Sequence, residues 1–113
     1  MKSASLFNGT AYNLFPGVDG HIFTGEKLMV MHIVFVNDAV AVTHAHPHEQ
    51  LSVVIKGEVE FTLGDEKKLL KAGDAISIPG NIQHSATALV DSELIECFTP
   101  VREDLIARFG LTQ

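Results

Sequence analysis

The chain is a succession of short apolar runs, each stopped within a few residues by Gly, Pro, Asn or Asp. Residues 28–36 (LMVMHIVFV) run into Asn37-Asp38, residues 39–44 (AVAVTH) alternate towards a histidine, and residues 51–55 (LSVVI) stop at Lys56-Gly57. Residues 58–63 (EVEFTL) alternate charge with Val59, Phe61 and Leu63 before Gly64-Asp65. Four further segments follow at 67–74, 75–79, 84–90 and 93–98. Strands this short, at this spacing, predict an all-β sandwich or barrel. Only residues 101–109 (VREDLIARF) break the pattern. There Val101, Leu105, Ile106 and Phe109 share a helical face and Gly110 can end it, so a short C-terminal helix is expected over 100–110. The first 20 residues carry Gly, Pro and Asn and read as an N-terminal arm laid over the barrel or exchanged with a partner. With no linker, repeat or low-complexity tract, residues 1–113 are expected to form one domain.

Charge and cysteine usage narrow the partners. The net charge is −6 and no run of Lys or Arg occurs, which argues against nucleic acid. A small anion remains possible where one local cation can hold it. Cys97 is the only cysteine, so the chain has no internal disulfide and fits a reducing compartment. No apolar stretch approaches the ~20 residues of a membrane span. The first 17 residues lack the apolar core of a signal peptide. The expectation is a soluble cytoplasmic protein with no membrane partner.

The segment His44-Ala45-His46-Pro47-His48-Glu49-Gln50 carries the most chemistry. On an extended strand, His44 and His46 leave the same face. Two imidazoles on one face suit a borderline divalent metal, although a His-rich stretch also serves as a plain surface loop. Pro47 interrupts regular pairing, so the chain can turn before Gln50. His32 lies in an apolar run and reads as a core histidine, and His21 as a surface one.

The wider pattern resembles the two cupin motifs, G-x5-H-x-H-x3-4-E/Q-x6-G and G-x5-P-x-G-x2-H-x3-N. The first matches at His44, His46, Gln50 and Gly57, with Asp38 at its opening glycine. The second matches at Gly73, Pro79 and His84, with Asn81 at its second glycine and Ala88 at its closing Asn. Asp and Asn are the side chains that best tolerate a positive φ. The resemblance implies a cupin double-stranded β-helix, a jelly-roll barrel of six to eight strands. It also implies one divalent metal (Zn, Ni, Fe, Mn or Co) held by His44, His46, Gln50 and His84. The pattern skips His48, leaving it a supporting or surface role, and its spacing selects Gln50 over Glu49. Gln where many cupins have Glu leaves the site one unit more positive, which favours Lewis acidity towards an anion.

Together with that segment, the stretch Glu96-Cys97-Phe98-Thr99-Pro100-Val101-Arg102 is similar to the small cupins of the KdgF group. Members open the ring of 4,5-unsaturated uronates, released from pectin or alginate, to linear keto-uronates. In that group an Asp, a Phe and an Arg in D-x-F-x-P-x-R line the pocket beside the metal. They fall here on Glu96, Phe98 and Arg102, with Glu replacing Asp. The resemblance implies a small anionic sugar as substrate, and a homodimer is expected. The residues allow the same roles: Glu96 shuttles a proton, Phe98 offers a flat wall, and Arg102 grips a carboxylate with a bidentate fork. They also allow plainer ones, with Glu96 an edge-strand charge, Phe98 core, and Arg102 paired with Glu103 or Asp104. Two other functions stay open: a metal-dependent dioxygenase, against which Gln50 counts, and a non-catalytic metal- or ligand-binding cupin.

Overall fold

The computed structural model describes residues 1–112, arranged as ten strands and one helix. In chain order the strands are β1 (Tyr12–Phe15), β2 (Val18–Thr24), β3 (Met29–Phe35), β4 (Val40–His44) and β5 (Glu49–Lys56). There follow β6 (Glu58–Leu63), β7 (Glu66–Lys71), β8 (Ala75–Ile78), β9 (His84–Ala88) and β10 (Ser92–Thr99), then α1 (Glu103–Phe109). Two antiparallel sheets face each other, one ordered β1-β2-β3-β10-β5-β8 and the other β4-β9-β6-β7. This is the expected all-β jelly roll, with two more strands than the upper expectation.

The additional pair is a correction at the N-terminus. Residues 12–20 are not an arm: β1 and β2 form a hairpin that pairs through β2 with β3 of the same chain. The strand signal there is broken by Pro16-Gly17, which makes the hairpin turn, and by Gly20 in mid-strand. Gly20 faces Leu14, whose Cδ1 would lie 3.0 Å from an added Cβ. Only about the first ten residues run without regular structure.

Period-two alternation decides what faces inward. On β10 Leu94, Glu96 and Phe98 are buried, and on β5 Gln50, Ser52 and Val54 are buried. The register sets Glu96 opposite Ser52 and Phe98 opposite Gln50. Glu96, Ser52 and Gln50 therefore meet inside the barrel at the end of these two strands nearest the loops after β4 and β8. The rest is apolar, with Val59, Phe61, Ile78 and Leu94 almost wholly enclosed. The helix packs Leu105 into this core, and Ile106 and Phe109 lie against it, as the helical spacing required. It begins at Glu103 rather than 100, and Arg102 occupies the N-cap. Among the described residues, no helix is long and apolar enough to cross a membrane.

Asp38 and Asn81 have φ of 69° and 66°, the left-handed conformation expected where the two motifs ordinarily carry glycine. Gly57, with φ of 89°, makes the crossing from β5 to β6 beneath the Asp91-Ser92 corner. A Cβ there would lie 2.6 Å from the Asp91 carbonyl oxygen and collide with Ser92 Oγ. Gly57→Ala is therefore expected to cost about 2 kcal/mol or more. A chemical denaturation midpoint equal to wild type would show that the corner yields freely.

Candidate metal centre

His44 closes β4 and His84 opens β9, and the two are cross-strand partners. A register irregularity between Ala41 and His44 turns His44 inward, so that its ring lies 4.3 Å from that of His84. His46 departs from expectation: it lies beyond β4, in the loop leading to β5, not on the strand. Pro47 prevents continued pairing, and the His46 carbonyl accepts from the Asn81 amide at 2.7 Å instead. That loop sits directly on the turn after β8, where a Cβ at Gly80 would collide with the Pro47 carbonyl. The His46 ring nevertheless converges on the other two, and one nitrogen from each of His44, His46 and His84 falls within 4.8 Å of the others. Gln50 comes from the opposite sheet, its Oε1 3.0 Å from His46 Nε2.

The hydrogen-bond geometry tests whether these residues fit a metal. His44 Nδ1 donates to the Val42 carbonyl at 2.6 Å, and His84 Nδ1 to the Ile82 carbonyl at 2.8 Å. In each ring Nε2 is the nitrogen that faces the other histidines, and that of His84 is buried without a partner among the described residues. Orientation of a ligating imidazole through its other nitrogen is the usual arrangement in metal sites. His46 is more telling. Burial, with the charge of Arg102 and of His84 adding to it, lowers its pKa to about 4, so the ring is neutral near pH 7 and has one N–H. Two oxygen acceptors face it, the His48 carbonyl at 3.1 Å from Nδ1 and Gln50 Oε1 at 3.0 Å from Nε2. One proton cannot serve both. A cation near Nε2 and Oε1 removes the conflict, and three imidazoles with one amide oxygen suit a divalent transition metal. Burial also lowers the pKa of His84, keeping its lone pair available.

Behind Gln50 lies the carboxyl group. Glu96 Oε2 accepts from Ser52 Oγ at 2.6 Å and from Gln50 Nε2 at 2.9 Å. Burial raises the Glu96 pKa to about 7 against the opposing pull of these bonds and of Arg102. Glu96 and Arg102 line the same cavity as the three histidines, a space of about 320 Å³. Arg102 carries an acidic partner, the second of its plainer options: Nε and Nη2 donate to both oxygens of Asp104 at 2.9 and 2.8 Å. Its bidentate fork is thus engaged within the protein. Phe98 is not a wall of the cavity. It is 1% exposed, with the Arg102 guanidinium 5.0 Å from its ring centre and His46 edge-on at 5.8 Å. Its work is to seat those two side chains.

His48 is buried rather than superficial. Its Nε2 meets Glu103 Oε2 at 3.0 Å, tying the first turn of α1 to the His46 loop and holding the Glu103 carboxyl below its ordinary range. His32, expected as a core histidine, instead faces outward from β3, because Met31 and Ile33 on either side of it point into the barrel; it is covered by Phe7 and bonded to Glu93 at 2.7 Å. Ser52 was missed, although its alternation with Gln50 and Val54 places it inward. Asp104 and Arg108, which also line the cavity, could be found only from the docking of α1.

A model of the cupin domain matches residues 29–95, and the chain belongs to the cupin family. Within it, the chain is 33% identical over 93 residues to the pectin degradation protein KdgF of Dickeya dadantii, covering 80% of this chain and 84% of that one. The solved structure of KdgF from a Halomonas species superposes with a TM-score of 0.82 at 32% identity, covering 91% of this chain and 99% of the other. An RmlC-like cupin from Shewanella frigidimarina gives a TM-score of 0.84 at 29% identity, covering 90% and 93%.

Two predictions follow from this geometry. His46→Ala is expected to abolish retention of a divalent metal while the fold persists. His48→Ala should lower affinity by no more than about tenfold, because His46 is oriented by the backbone carbonyl of His48, which survives. Elemental analysis after desalting reads both, and a full metal complement in His46→Ala would overturn the assignment. The second concerns the metal-free protein. Glu96 binds its proton more tightly folded than unfolded, so its contribution to stability is complete below about pH 4.5 and disappears as pH rises through about 7. Wild type should therefore lose up to about 3 kcal/mol relative to Glu96→Gln between pH 4.5 and 8. Parallel stability–pH curves for the two proteins in chelator would contradict it.

Proposed function

We propose that this cupin opens the ring of small 4,5-unsaturated uronates, with one divalent metal held by His44, His46, Gln50 and His84. The observation that carries the reading is a meeting in one cavity: three convergent imidazoles, a carboxyl group that titrates near neutral pH, and a guanidinium. Similarity to KdgF proteins, one of them named for pectin degradation, supplies the substrate class.

When bound, the metal supplies Lewis acidity towards a ring or hydroxyl oxygen. Because Gln50 is neutral, no protein ligand reduces that charge. Ring opening of an unsaturated uronate to a keto-uronate is an isomerisation: a proton leaves the anomeric hydroxyl as the C1–O5 bond breaks to give an aldehyde at C1, and a proton is returned to C4 as the C4–C5 enol becomes a C5 ketone. A single group that both takes and gives a proton serves best with a pKa near the working pH, and Glu96 meets that condition. Its Oε2 is anchored by Ser52 and Gln50, so Oε1 is the atom left for exchange with substrate. Arg102 adds positive potential on the same side. The small cavity volume fits a monosaccharide acid better than an oligomer. A second copy of the chain is the proposed cover for the outer face of the six-stranded sheet, where Leu51, Ile55 and Cys97 are exposed.

The test follows absorbance of the conjugated double bond in unsaturated uronates from both pectin and alginate. Metal-loaded wild type should consume it, and chelator should stop it. Glu96→Gln should lower turnover by about 100-fold or more. Arg102→Ala should lower it by about two orders of magnitude with metal content unchanged, and Arg102→Lys should recover part of the loss. If the metal-loaded protein left every uronate intact, the ring-opening reading would be abandoned for a dioxygenase or a binding module.

A further inference from the structure

The cavity has a second arginine, Arg108, on the last turn of α1. It differs from Arg102 in one respect that decides its chemistry. Arg102 presents both of its paired donors to Asp104, so its charge is matched by a carboxylate at 2.8 Å. Arg108 makes no salt bridge among the described residues. Its Nη2 donates to two neutral acceptors, the carbonyl oxygens of Asn13 at 3.0 Å and Leu14 at 3.3 Å. The guanidinium also lies over the Phe109 ring, 4.7 Å from its centre. Stacking and the two β1 carbonyls hold the group in one place while leaving Nε and Nη1 without a partner among the described residues. A cation that is fixed, unbalanced and still rich in donors is prepared for an anion.

The surroundings add to this. With a net charge of −6, the molecule as a whole does not draw anions, so recognition falls to a local cation. Six residues along a helix separate Arg108 from Arg102 by ~9 Å of rise. One end of a small substrate can then lie at the histidines, Glu96 and Arg102 while the other reaches Arg108. The geometry points to Arg108 as the residue that recognises the substrate carboxylate, with Arg102 left to act beside the reacting atoms. This assignment deepens the ring-opening reading and rests on it for the substrate, but binding alone can test it.

The experiment titrates the zinc-loaded full chain with D-galacturonate and with its uncharged methyl ester by calorimetry, in wild type, Arg108→Gln, Arg108→Lys and Arg102→Ala. Gln retains an N–H donor for the β1 carbonyls and removes the charge, and equal melting temperature and zinc content show that the site is intact. Wild type should prefer the acid by at least tenfold, Arg108→Gln should bind acid and ester alike, and Arg108→Lys should restore part of the preference. With unsaturated uronate as substrate, Arg108→Gln should raise KM by tenfold or more with kcat within about threefold, the pattern of lost uniform binding. Persistence of the acid preference in Arg108→Gln, or its loss only in Arg102→Ala, overturns the assignment, as does a wild type that binds acid and ester equally. Ring opening by a wild type whose acid preference ignores Arg108 removes the anchor and leaves the function. An Arg108-dependent preference without ring opening removes the function and leaves the anchor.

Discussion

Neutral His46 has one proton and two oxygen acceptors within reach, and much of the barrel mouth is organised around that mismatch. The acceptors are not interchangeable. The His48 carbonyl belongs to a loop pinned by the Asn81 amide and by contact with Gly80, so it cannot swing away. Gln50 is seated on β5 with its amide nitrogen committed to Glu96 and Ser52, so its oxygen has nowhere else to point. Both ring nitrogens of His46 are thus surrounded by lone pairs, in a place where burial and the charge of Arg102 forbid a second proton. A cation at this point would serve three imidazoles from one side of the barrel and an amide from the other. It would bridge the two sheets where no backbone hydrogen bond can.

Gln50 also explains why the position is not a carboxylate. Its two ends do different work: Oε1 faces His46, and Nε2 donates to Glu96. A glutamate there would meet Glu96 acceptor to acceptor, and the pair would have to share a proton. With an amide between them, positive charge at Oε1 would polarise the N–H bond and strengthen the donation to Glu96, favouring its ionised form. Metal occupancy and the protonation of Glu96 would therefore be linked through one side chain.

How much of this is legible in the sequence depends on how local the cause is. Eight strands follow from alternation and turn residues, because both act within a few positions. Asp38 and Asn81 announce their positive φ by being the two residues best suited to it. The inward position of Glu96 follows from parity on β10. What escapes is set by contacts between distant segments. Pro16-Gly17 and Gly20 disguise the N-terminal hairpin, whose strands are defined by pairing with β3. Pro47 signals that the strand stops near His46, but where the His46 loop then sits is set by the Asn81 amide, more than thirty residues away, which binds its carbonyl. Phe98 has the parity of a pocket residue but lies under Arg102, and no period in the sequence reports which side chain lies on top.

The helix shows how a short element can govern a site it barely enters. Three of its side chains leave in different directions: Glu103 to His48, Leu105 into the core, and Arg108 to the carbonyls of β1. Isolated, seven residues would not hold a helix in water, since nucleation costs more than so few hydrogen bonds return. Its shape is therefore imposed by these attachments. Each attachment ends on a different part of the barrel mouth, namely the metal loop, the interior and the first hairpin. Any shift of α1 large enough to move Arg102 must disturb the His46 loop through Glu103 and the β1 edge through Arg108 at once. That sharing makes the position of Arg102 stiff even though its backbone lies outside both sheets, and stiffness is what the proposed placement of its charge beside a reacting oxygen requires.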